Sequence, residues 1–511
     1  MVVKVLSAAT IGLDVFKIEV EVDVTNSLPQ IAIIGLGDAA ISEAKERLKL
    51  AIKNSGYSFP QTKVVINLAP ADLKKEGAAY DLAMAVGILT KEGVIKENFA
   101  AKFNDTAFLG ELSLDGSIKP VYGVLPIVFG LKNLGIKKVI IPFDNLKEAS
   151  FADNIEVLGA KNLCEVVMHL NDNEPLASIK QEISDFIRCD KEYGTDFKYI
   201  KGQKFAKRAL EIAAAGAHNV LMAGSPGSGK TLLAKAFPSI LPPLTKDEAI
   251  EITKIYSIAG LLDHNNPLIS ERPIRAPHHS ASSVGIIGGG SNPKPGEITL
   301  AHRGVLFLDE MPEFPRSVLE VLRQPVEDNE VTISRAQTSI KYPANFILLG
   351  AMNPCPCGYL GDKKIECKCS DFQINRYRAK LSGPLLDRID IHIDVARLDE
   401  EELLEQNAVA ESSVEIRKRV ASARQIQNER YKNEGIFTNS ELTPKLIRKY
   451  CNISPEIKDM LKNAAKAFNL SARGFDRILK ISRTIADLDG KEDISTLHIS
   501  QALQFRGYSG S

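Results

Sequence analysis

Several groups of residues in this chain have the types and spacing that chemistry on phosphates requires. The stretch "VLMAGSPGSGKTLLAKAF" carries Gly224, Ser225, Pro226, Gly227, Ser228, Gly229, Lys230 and Thr231, a G-x-x-x-x-G-K-T pattern. Glycines let backbone N–H groups turn towards phosphate oxygens, and a helix opening at the lysine adds the positive end of its dipole. Lys230 would neutralise β- and γ-phosphates, and Thr231 would hold Mg²⁺. The apolar run before the pattern and the helical one after it make a chance glycine turn the weaker reading. "GVLFLDEMPEF" ends an apolar strand on Asp309 and Glu310. Asp309 would complete the Mg²⁺ shell and Glu310 would polarise an attacking water.

The next strand, "NFILLGAMN", ends on Asn353, placed to sense a γ-phosphate or simply to cap the strand end. "SGPLLDRIDIHIDV" sets Arg388 between two acidic residues, where a lone arginine is usually a solvated ion-pair partner. In an ATPase built as a ring it reads instead as a finger for a neighbour's γ-phosphate. Arg473, in "SARGFDR", is either a second sensor or an exposed arginine at a helix start.

Directly after Asn353, "NPCPCGYLGDKKIECKCS" gathers Cys355, Cys357, Cys367 and Cys369 into two Cys-x-Cys pairs. Four thiolates make a closed, structural Zn²⁺ site. A disulfide or unligated buried thiols are the alternatives, and scattered Cys164, Cys189 and Cys451 fit a reducing compartment. Lys363, Lys364 and Lys368 would offset the negative charge of such a clip.

Between Thr231 and Asp309 the chain is longer than a minimal α/β path needs. The surplus includes "SERPIRAPHHSASSVGIIGGGSNPKPGE", with Arg272, Arg275, His278, His279 and Lys294 around Gly288–Gly290. A flexible basic loop there suggests a pore loop gripping nucleic-acid phosphates by charge. An ordinary surface loop is the other reading, and adjacent histidines without a third ligand make a poor metal site. "EVTISRAQTSIKYP" alternates as a β-hairpin, with Arg335 and Gln337 at its tip either touching DNA or simply solvated.

The elements that must position these groups follow from pattern. Val15–Val24 alternates apolar and charged residues, as a half-buried strand does. Further strands alternate with helices up to about Leu170, giving an α+β domain over 1–170. A polar linker spans 171–196, a nucleotide-binding α/β core spans 197–400, and a helical lid spans 401–511. The 511 residues suit about three domains. Lys+Arg and Asp+Glu are 64 each, so any nucleic-acid surface must be a local patch. Asp14 interrupts the first apolar stretch, and no run is long enough to span a bilayer, so the expectation is cytoplasmic, with no membrane.

Taken in order, "GQKFAKRALEIAAAGAHNVLMAGSPGSGKT", "RAPHHSASSVGIIGGG", "PGEITLAHRGVLFLDEMPEF", "NPCPCG" with "CKCS", "SGPLLDRIDIHIDV" and "LSARGFDRILKISRTIADL" resemble the Mg-chelatase-like AAA+ ATPases of the ComM/YifB type, nearly end to end. The resemblance implies an AAA+ P-loop core with a C-terminal helical lid, closing into a hexameric ring. It implies Arg388 acting in trans and Arg473 in cis. It also implies ATP-driven unwinding or branch migration of DNA, single-stranded or branched, beside recombination proteins during natural transformation.

The first domain resembles the Lon-type protease fold, with a departure. Ala79 in "KKEGAAYDLAMA" stands at the nucleophile position and Leu125 at the position of the lysine base. Without either, acyl transfer has no chemistry, and Tyr80 and Asp81 are no substitute. That domain reads as a non-proteolytic scaffold. The second functional expectation is a remodeller of a protein or metal-chelatase complex. A purely nucleotide-gated scaffold fits Glu310, Asn353 and Arg388 poorly.

Overall fold

The computed structural model describes residues 2–35, 39–73, 75, 77–96, 104–183, 186, 194–263, 265–290, 293–334, 339–362, 364–399, 411–467 and 470–506. The hairpin tip with Arg335 and Gln337, and also Asp38, Cys189 and Lys363, lie outside them. The chain folds as two compact units: Met1–Ile187 with Lys246–Ser270, and Arg188–Thr245 with Glu271–Ser511.

The first unit is built on a mixed seven-stranded sheet. Its spatial order is Gln30–Ile34, Lys63–Ala69, Asp14–Thr25, Val3–Ile11, Thr106–Phe108, Lys138–Pro142 and Glu156–Ala160. The alternation over Asp14–Thr25 places Ile18, Val20 and Val22 in the core while the charged residues between them stay partly exposed. Helix Asp81–Lys91 is buried from Asp81 to Thr90. Gly87 makes that close packing possible, because a Cβ there would lie 2.5 Å from Val22 Cγ2.

Helix Lys246–Ala259, sequence-adjacent to the ATPase core, packs in this first unit. Ser257 O accepts the Gly123 N–H at 3.2 Å, Ser257 Oγ bonds the Glu148 carboxylate, and Lys254 Nζ sits 4.2 Å from the Phe129 ring centre. The extra chain length after Thr231 is thus spent partly on a segment that belongs to the other unit. A charge pattern cannot show that, because the pairing is made by one hydroxyl, one carbonyl and one ring.

The second unit holds a five-stranded parallel sheet in the order Ile274–Arg275, Val305–Leu308, Ile347–Met352, Val220–Ala223, Ile391–Asp394. Val220–Ala223, Val305–Leu308 and Ile347–Met352 are buried throughout, as strands covered on both faces must be. Helices Ser413–Tyr431 and Ala472–Leu488 pack on helix Lys204–Gly216 and share one core with the sheet. Buried Asp487 locks this helical layer, accepting from Arg430 at 2.9 and 2.5 Å, from Arg483 at 3.1 Å and from Asn439 at 2.9 Å. His218, two residues before strand Val220–Ala223, bonds Thr484 Oγ1 at 2.8 Å and ties that layer to the sheet. Among the described residues no helix is long and apolar enough to cross a membrane.

Candidate active site

The central strands of the second unit end together, and the phosphate loop starts where Val220–Ala223 stops. In open parallel α/β sheets ligands bind at these carboxyl ends. Gly224 donates its N–H to Met352 O at 3.2 Å, and a Cβ on it would lie 2.3 Å from Val395 O. Only glycine fits between the two neighbouring strands. Gly227 and Gly229 take φ of 77° and 98°, turning the loop before helix Lys230–Ala236 opens.

Lys230 Nζ donates to Gly224 O at 2.6 Å, Ser225 O at 3.0 Å and Asn353 Oδ1 at 3.3 Å. Burial holds its ammonium below the usual lysine range, with the Asp309 and Glu310 charges opposing. Ser228 Oγ is buried with no hydrogen-bond partner among the described residues. A lysine turned on its own loop's carbonyls and an orphaned hydroxyl leave the cradle rich in donors, which fits a phosphate.

Thr231 Oγ1 donates to Asp309 Oδ2 at 2.9 Å, so the hydroxyl and carboxylate suited to Mg²⁺ are already adjacent. Glu310 follows in the left-handed region at φ 50°, its own N–H bonded to Asp309 Oδ1 at 3.0 Å. That backbone reversal leaves its carboxylate exposed beside the cradle. His279 Nδ1 stands 3.9 Å from Glu310 Oε2. By pattern this histidine belongs to a loop; only the pairing of Ile274–Arg275 with Val305–Leu308 puts it next to Glu310.

The structure therefore brings Lys230, Thr231, Asp309, Asn353 and Glu310 to one place. Arg388 and Arg473 form a second place. Arg388 donates from Nη1 to Pro384 O at 2.7 Å and from Nη2 to Glu327. Arg473, in the first turn of Ala472–Leu488, donates to the other Glu327 oxygen at 2.7 Å. Ser471 caps the helix and sets its first residues towards Glu327, so that Arg473 lies alongside Arg388. A cavity of about 460 Å³ borders Arg388, lined by Ile287, Glu320, Arg323, Glu327, Asp328 and Arg388 among others.

Two arginines of the basic loop bond within the chain. Arg272 is spent on the carbonyls of Pro242, Arg303 and Pro243, and Arg275 forms a fork with Glu297 at 2.6 and 2.7 Å. The glycines pair Gly288–Gly289 with Lys294–Pro295 as an antiparallel ribbon after a short helix, Ser283–Ile287. Among the described residues of the segment Lys294 is exposed.

Cys355, Cys357, Cys367 and Cys369 converge, with all four Sγ atoms within 4.8 Å of one another. The Sγ separations are 3.4 Å for Cys355–Cys357 and 3.6 Å for Cys355–Cys367 and Cys357–Cys367. Four thiolates about 2.3 Å from a tetrahedral ion stand about 3.8 Å apart, so the cluster fits a metal. None of these thiols is in a disulfide.

In the first unit, Ala79 O accepts the Gly110 N–H and the Leu125 N–H goes to Glu148. Asp81 is engaged by Arg47 at 2.9 Å and by the Leu112 N–H, and burial pushes its carboxyl up to about 6.

Comparison with known proteins agrees with this geometry. The family description "Magnesium chelatase, subunit ChlI" matches residues 196–403, "Subunit ChlI of Mg-chelatase" matches 20–145, and the ChlI C-terminal description matches 410–506. The chain is 40% identical over 508 residues to the competence protein ComM of Haemophilus influenzae, covering 98% of this chain and 97% of ComM. It is 38% identical over 500 residues to the uncharacterized protein YifB of Escherichia coli, covering 98% and 96%. Lon protease 2 of Bacillus subtilis matches a shorter stretch, 32% identical over 134 residues, which is 25% of this chain and 23% of that protein. With a phosphate cradle, a Mg²⁺-competent Thr–Asp pair and matches along the whole length, this chain belongs to the Mg-chelatase-like AAA+ ATPases.

Proposed function

We infer that the chain is an ATP-driven motor that works on DNA as a hexameric ring in the cytoplasm, unwinding or branch-migrating strands during homologous recombination in natural transformation. The observation that carries this reading is a hydrolysis set preassembled at the sheet edge of a chain that matches a competence protein along 98% of its length.

Each residue has a task in it. The loop from Gly224 to Gly229 receives the phosphates on its N–H groups, and Lys230 gives up its carbonyl partners to neutralise β- and γ-oxygens. Thr231 and Asp309 would hold Mg²⁺, which would supply positive charge against the phosphates. Glu310, exposed beside His279, takes hydrogen bonds from the attacking water, and Asn353 orients the γ-phosphate. Arg388 and Arg473 both bond the Glu327 carboxylate. We read both as acting on the nucleotide of a neighbouring subunit.

The four cysteines hold Zn²⁺ in this reading, and the first unit serves as a Lon-like, non-proteolytic scaffold. The alternative, a remodeller of a protein or metal-chelatase complex, draws on the name of the matched family and on the two loop arginines being committed internally.

The test is ATP-dependent resolution of a fluorescent four-way DNA junction by the purified chain, with Lys230→Ala beside it. Resolution by the wild type alone supports the motor. Brisk ATP hydrolysis without strand movement on any branched substrate would transfer the case to the remodeller.

A further inference from the structure

The strand that ends on Asn353 runs straight into the cysteine cluster, and the structure supplies a reason. Between residues 354 and 370 only Cys355 and Gly358 are buried among the described positions, and no helix or strand forms. The loop has no core of its own. Its internal bonds include Gly358 N to Cys355 O at 3.0 Å, Asp362 N to Tyr359 O at 3.1 Å, and Asp362 Oδ1 accepting from Lys364 and Ile365. What closes it is the meeting of Cys355 and Cys357 with Cys367 and Cys369.

The closed loop touches the phosphate cradle twice. Gly358, at φ 87°, packs against the Pro226 ring so tightly that a Cβ there would lie 2.6 Å from Pro226 Cδ and 3.8 Å from Asn353 Cγ. Asp362 lies by Ser225; the Lys364 N–H and then the Ser225 hydroxyl hold its carboxyl below the usual carboxylate range. On the other side, Arg378 Nε reaches Pro354 O at 3.4 Å and pins the start of the loop. The cysteine loop is thus the outer wall of the turn that must receive phosphates.

We propose that the metal-loaded cysteine clip is a positioning element for nucleotide binding, pressing Gly358 onto Pro226 and holding Asn353 against Lys230. This rests on the metal reading given above. Its consequence is that metal loading and nucleotide affinity are coupled: stripping the ion lets an uncored loop open, and the Ser225–Gly229 turn loses its support.

The test is equilibrium binding of a fluorescent ATP analogue to the full chain, metal-loaded and chelator-stripped, with metal content by mass spectrometry and cooperative melting as the folding control. One metal ion per chain and an affinity loss of about tenfold or more on stripping are expected. Gly358→Ala keeps all four cysteines and drives a methyl group into Pro226; it should retain the metal and still bind nucleotide at least about tenfold more weakly. If stripping abolishes cooperative melting, Gly358→Ala decides. Full affinity in both the stripped chain and Gly358→Ala, with metal present in the native chain, overturns the coupling and leaves the metal site standing. A native chain that carries no metal overturns both.

Discussion

Lys230 already sits where it will be used, held by two carbonyls of its own loop and by Asn353. Lys230→Ala is therefore expected to remove nucleotide binding, whereas Glu310→Gln should bind ATP normally and fail to turn it over. Isothermal titration and steady-state hydrolysis separate the two; wild-type turnover in either variant would refute the assignment. Arg388 and Arg473 behave differently, because neither contacts the cradle residues and both hold Glu327. The Arg473–Glu327 contact is solvent-exposed and worth at most about 1 kcal/mol, so little folding stability depends on it. Arg388→Ala should leave nucleotide affinity unchanged and lower kcat by roughly a thousandfold, the usual worth of such a finger. The phosphate loop, Asp309, Glu310 and the cysteines could be read in the sequence because each rests on local spacing. The joining of Arg473 to Arg388 could not, since it depends on a glutamate 146 residues away. His279 escaped for the same reason.

At the scale of elements, the apolar strands and amphipathic helices were legible wherever period and length agreed. Val15–Val24 falls within the strand Asp14–Thr25, and the strand read before the P-loop is Val220–Ala223. The arginines of the 270–297 segment were ambiguous, because a charge run does not say whether its partners are solvent, phosphate or the protein's own carbonyls. Here Arg272 and Arg275 satisfy buried backbone and a glutamate. The strand Ile391–Asp394 carries a testable cost. His392 bonds Ile389 O at 3.1 Å and takes a backbone link from its N–H to Phe505 O, and burial pushes its imidazole down to about 4. A histidine with a lowered folded pKa binds fewer protons than the unfolded chain, so stability is full above about 6.5 and falls as pH drops towards 4. The loss amounts to roughly 3 kcal/mol at most. Urea midpoints between pH 7 and 4 should show this decline, and His392→Gln should flatten it; an unchanged slope in the variant would exclude His392 as the source.

For the whole molecule, the family and its layered ATPase unit followed from ordered motifs, while the division of the chain did not. Residues 246–270 interrupt the second unit in sequence yet fold with the first, on contacts through Ser257 and Lys254 that no periodicity encodes. The central claim is that hydrolysis at Lys230, Glu310 and Asn353 is coupled to DNA. The most direct measurement is steady-state ATPase of the purified chain with no DNA, with single-stranded DNA and with a fork, beside Lys230→Ala. The account predicts strong stimulation by DNA that vanishes in the variant. Hydrolysis that is robust, Lys230-dependent and indifferent to every DNA added would contradict it.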